Sequence, residues 1–114
     1  MIDQLITRLF KERNASHARH WTTESFSQHE VLGEFYDEMI DTLDKFIEAY
    51  IGTFGKPHNI PDDDENIATT IRENLIWLND NRKQIANEVP ALENIIDELA
   101  GLHMRTLFKL DNLR

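Results

Sequence analysis

Three of the five histidines, His17, His20 and His29, fall within thirteen residues of one another. Asp44 follows His29 by fifteen residues, and Glu48 follows Asp44 by four. Imidazole and carboxylate together suit iron, manganese or zinc. The chain has no cysteine, so thiolate metal sites, disulfides and cysteine nucleophiles are excluded. The sequence offers neither a Ser-His-Asp arrangement nor a glycine loop of the phosphate-cradling kind.

These residues do chemistry together only if helices place them. At about 100° per residue, His17 and His20 continue the stripe of Ile2, Ile6, Leu9 and Phe10 on a first helix. On a second helix His29, Asp44 and Glu48 border the apolar face rather than sit opposite it, with Asp37 close by. Asp44 and Glu48 are i and i+4 neighbours, and two adjacent carboxylates repel unless a cation lies between them. The bland alternative is that Glu30, Glu34, Glu38 and Asp41 make this arc an ordinary solvated acidic face.

The periodicity predicts four helices. The first is interrupted by Thr22, Thr23 and Ser25, hydroxyl residues suited to a turn and an N-cap. The second runs from near Phe26 to about Ile51 and is ended by Gly52 and Gly55. The third follows the acidic run 62–65, which favours the positive end of a helix dipole, and carries Ile67, Ile71, Leu75, Leu78 and Ile85. Pro90 opens the fourth.

Short connections make two antiparallel hairpins. The middle connection, Gly52 to Glu65, is fourteen residues without periodicity. At about 3.3 Å per residue it can span a bundle. The expected architecture is therefore an all-α four-helix bundle of the ferritin-like kind, with a long crossover, in one domain over residues 1–114.

The charge balance excludes other classes. Twelve Lys+Arg against 21 Asp+Glu leave a formal charge of −9. That surface repels nucleic-acid phosphate and anionic lipid, so neither nucleic acid nor membrane is expected as a partner. No stretch approaches the roughly 20 apolar residues of a membrane span, and no signal pattern opens the chain. The expected location is cytoplasmic, in a bacterium or a phage-infected host.

The stretch His20-Trp21, Phe26, His29-Glu30, then Asp44-x-x-x-Glu48 and Gly52 resembles the motif region of Dps proteins, the mini-ferritins of the ferritin-like superfamily. It also looks like short Dps-like proteins of tailed phages. The resemblance implies a ferroxidase site shared by two subunits, with His20 and His29 from one chain and Asp44 and Glu48 from its partner. It implies iron(II) binding, oxidation by peroxide or oxygen to iron(III), and storage or oxidative protection in a dimer or a larger cage. Manganese or zinc fits the same donors. The pattern departs at Gly33, where an acidic ligand would stand, and Asp37 is the nearest substitute. The spacing between the histidines is three residues short for His20, whereas His17 has the expected separation, so either is a candidate first ligand.

The alternative is a non-catalytic helical interaction or assembly protein on a degenerate ferritin-like scaffold. His103 reads as a core histidine with a hydrogen-bond partner, and His58 as an exposed residue of the crossover. The run 62–65 could line an ion passage, but helix N-terminal charge explains it. Ala100-Gly101 in mid-helix predicts a close approach, since such a glycine costs about 1 kcal/mol.

Overall fold

The computed structural model describes residues 1–57, 60 and 66–113. His58, the acidic run 62–65 and the expectations placed on them lie outside the described residues. Regular structure among the described residues is helical throughout: α1 (Ile2–Thr22), α2 (Phe26–Phe54), α3 (Ile67–Asp80), α4 (Arg82–Ile85) and α5 (Pro90–Asn112). The chain divides into two compact units, Met1–Asp62 and Asp63–Arg114. No helix among the described residues is long and apolar enough to cross a membrane.

In the first unit α1 packs on α2. The turn between them is held by its own hydroxyls. Ser25 is the N-cap of α2 and its Oγ accepts the main-chain N–H of Gln28. The Ser25 N–H is in turn taken up by Thr23 Oγ1 at 3.1 Å, and Thr23 Oγ1 donates to Gln28 Oε1. These bonds satisfy amides that a helix start otherwise leaves open.

The turn sets the register of the antiparallel pair. His20 lies against His29, and Arg13 lies over the ring of Tyr36 at 5.4 Å. Fourteen residues back from His20 and fourteen on from His29 stand Ile6 and Leu43, the two buried apolar residues among the described residues of this unit. Gly52 does not end α2 as expected. The helix passes through it and stops at Gly55, whose φ of +82° is a left-handed conformation that glycine adopts without a Cβ penalty.

In the second unit α3 and α5 pack together, with α4 also against α5. The expected third helix, continuous to Ile85, is broken at Asn81. The Asn81 amide donates to the Trp77 carbonyl from both its main chain and its Nδ2. A side chain that competes for a helix carbonyl favours termination there. Among the described residues there are accordingly five helices where four were expected, the extra one being a single turn.

That turn is tied to α5 by Arg82, which donates to both carboxylate oxygens of Asp97 at 2.6 and 2.9 Å and lies 3.6 Å from Glu93. The Arg82 hydrogen bonds hold the Asp97 carboxyl below its ordinary pKa. Asn87 and Glu88 follow at φ 52° and 60°, carrying the chain round to Pro90, the first residue of α5 as expected. Ala86, 1 % exposed, sits at the base of this turn.

α5 buries Ile96, Ala100 and Leu107. A Cβ on Gly101 would meet Arg105 of the same helix at 3.3 Å, so the expected approach by another element is not what occupies that position. His103 is half-buried, and its Nδ1 donates to the Leu99 carbonyl at 2.7 Å.

Candidate imidazole site

The mouth of the first hairpin brings His20 and His29 together. His20 closes α1 within its last turn, where main-chain carbonyls have no intrahelical partner. His29 stands one turn into α2. Each ring crosses the hairpin to the other's main chain. His20 Nδ1 donates to the His29 carbonyl at 2.6 Å, and His29 Nδ1 donates to the His20 carbonyl at 2.6 Å. A carbonyl oxygen only accepts, so both Nδ1 atoms carry protons. In the neutral rings both Nε2 atoms therefore keep a free lone pair. The rings stack with centroids 3.7 Å apart and planes 14° from parallel.

His17 is placed differently. It stacks on Tyr36 of α2 at 4.0 Å and 16°, with Trp21 against its other side at 4.3 Å. Its ring centroid is 6.3 Å from that of His20. Loss of hydration lowers its pKa, with the positive charges of Arg13 and His20 acting in the same direction. Spacing alone leaves His17 and His20 as equal candidates. In the structure it is His20 that pairs with His29.

Tyr36 escaped the sequence reading. The signal for it was the register: once His20 opposes His29, the residue seven further along α2 falls beside the residues one and two turns back on α1.

An open depression beside the pair is lined by Glu30, Glu34 and Asp37 together with His20, His29 and Gly33. Asp44 and Glu48 are not part of it. Fifteen residues of helix separate Asp44 from His29 by about 22 Å, and both carboxylates are exposed farther along α2. Among the described residues no three His, Asp or Glu side chains gather closely enough to hold a metal ion by themselves.

The stack also limits what the two imidazoles can do. A metal bonds to Nε2 in the plane of its ring, and planes this close to parallel do not meet within a bond length of either nitrogen. In this arrangement each ring is a one-nitrogen donor, and the pair does not chelate a single ion.

Over residues 20–110 the chain matches the family described as "Family of unknown function (DUF5856)". It is 27% identical over 111 residues to the "Uncharacterized 14.6 kDa protein in mobD-ri intergenic region" of Enterobacteria phage T4, covering 95% of this chain and 86% of that protein. No solved structure matches. The chain belongs to the DUF5856 family.

The resemblance to Dps proteins is thereby corrected: the family that matches is one of unknown function and the phage relative is described as uncharacterized, neither of them by a Dps or ferritin-like name. A handful of residues at helical spacing recurs readily in helical hairpins. The likeness that extends over most of the chain is to DUF5856.

Proposed function

We propose that this DUF5856 chain binds a divalent transition metal, iron(II) foremost and manganese or zinc by the same donors, with Nε2 of His20 and Nε2 of His29 each serving as one donor to an ion that carboxylates complete. The observation that carries the reading is the pair of Nδ1–H···O=C bonds. Metal-binding histidines commonly donate their second ring N–H to a carbonyl, which fixes the tautomer and aims the free nitrogen. Glu30, Glu34 and Asp37 supply carboxylates on the same depression. Asp44 and Glu48 reach the imidazoles only from a second copy of the chain, so their use requires a homodimer. Oxidation of the bound iron(II) by peroxide or oxygen belongs to the same reading.

The test is an anaerobic iron(II) titration of the metal-free protein, followed by peroxide and the iron(III) absorbance. The expected result is saturable binding whose stoichiometry His20→Ala and His29→Ala each reduce and the double variant abolishes. Binding by the wild type no stronger than by the double variant overturns the reading. Loss in Glu48→Ala as well identifies the second copy as a ligand donor.

A second reading, a helical assembly protein without metal chemistry, has its own observation. In the first unit Phe10, Trp21, Phe26 and Phe54 are between 51 and 74 % exposed. Large apolar side chains left in water favour association. On this reading four helices cover such faces in a bundle, drawn from one chain or from two. Sedimentation equilibrium showing a stable oligomer whose mass is unchanged by chelator and by the His20→Ala, His29→Ala double variant favours it over the first.

A further inference from the structure

We infer that Gly33 is a positioning residue for the imidazole pair, the seat on which the His20 ring is held with its proton on Nδ1. The inference rests on the metal reading for its functional meaning, but its geometry stands apart from it. Gly33 is in the interior of α2, one turn after His29, where glycine weakens a helix relative to alanine. Its φ is ordinary for a helix, so no backbone conformation calls for glycine there. The space does. A Cβ built on Gly33 would lie 3.0 Å from His20 Cε1 and 3.2 Å from His20 Nδ1.

The ring cannot give way without loss. Its Nδ1 is bonded to the His29 carbonyl, and one face lies on the His29 ring. A methyl group at position 33 therefore pushes against the edge that carries the Nδ1 hydrogen bond. Once that bond is broken, the proton is free to move to Nε2, and the nitrogen that would meet a metal loses its lone pair. Gly33 is thus where a side chain is missing because an imidazole needs the room. Gly52, a second glycine of the same helix in its last turn, is the control, since a Cβ there meets nothing within 4 Å.

The test compares Gly33→Ala with Gly52→Ala in the full chain by long-range proton–nitrogen NMR of the imidazoles at a pH where they are neutral, and by titration with cobalt(II). The wild type and Gly52→Ala are expected to hold both rings in the Nδ1–H form. Gly33→Ala is expected to show His20 mostly as, or exchanging with, the Nε2–H form, and to bind cobalt at the His20 nitrogen at least tenfold more weakly. If Gly33→Ala keeps His20 fully in the Nδ1–H form, the inference is overturned.

Should Gly33→Ala lower the helix content, adding His20→Ala is expected to restore it by removing the ring the methyl strikes. Failure of that rescue equally overturns the inference. If the tautomers behave as expected but the wild type takes up no cobalt, the positioning role stands and the metal reading falls.

Discussion

His20 and His29 cap each other: each imidazole donates its Nδ1 proton to the main-chain carbonyl of the other, at 2.6 Å in both directions. Each hydrogen bond thus needs one ring and the other residue's backbone, and the two rings depend on one another only through their stack. His29→Ala leaves the His20 bond in place but uncovers the His20 carbonyl, at a cost of about 1 kcal/mol. His20→Ala costs less, because the His29 carbonyl lies inside α2 and keeps the main-chain N–H of Gly33. A double-mutant cycle by urea unfolding is expected to give a coupling of about 0.5–1.5 kcal/mol, the range of paired aromatic rings. A coupling of several kcal/mol would mean that the two bonds form or break as one.

His17 links the hairpin to pH. Partial burial, then Arg13 and His20, hold its pKa below the ordinary imidazole value. The unfolded chain therefore takes up this proton first as pH falls. The contribution of neutral His17 to stability is complete above the unfolded value of 6.5 and is lost as pH falls through the lower folded value. Trp21 packs on this ring, so its fluorescence in a Trp77→Phe background reports the titration. A midpoint below 6.5 is expected, moving upward in Arg13→Gln because one of the repelling charges is removed. A midpoint at or above 6.5 would contradict it.

Glu88 carries a Cβ at φ 60°, in the turn that leads into α5. A left-handed conformation costs a residue with a side chain roughly 1 kcal/mol, and glycine adopts it freely. Glu88→Gly is therefore expected to stabilise the chain by about 0.5–1 kcal/mol in urea unfolding, whereas Glu88→Val is expected to destabilise it by more, since a branched Cβ suits this region least. Equal stabilities for the three proteins would show that the turn relaxes to another conformation.

Much of the helical layout could be read from local chemistry. Ser25 three residues before Gln28, the apolar recurrence from Ile2 to Phe10 and Pro90 at the head of α5 each act within one or two turns of chain. The break at Asn81 was harder to see, because Ile85 stays in phase with the apolar stripe while the Asn81 side chain takes a helix carbonyl. The spacing also singled out His17, His20 and His29, because all three lie on or beside the apolar faces of their helices, and it did not choose between His17 and His20.

What depended on tertiary structure is everything that crosses from α1 to α2. The register places Tyr36 rather than a carboxylate beside His17. The location of each imidazole proton follows from the carbonyl its ring meets, nine residues away in the chain. The resemblance to Dps proteins, since corrected, made Gly33 a departure from a ligand pattern, and the fold makes it the space that His20 fills. Helical periodicity is a property of a few neighbouring peptides, so the sequence alone determined the helices and the residues on their faces. A ring's partner, its tautomer and its room depend on how two helices are set against each other, which only the folded hairpin decides.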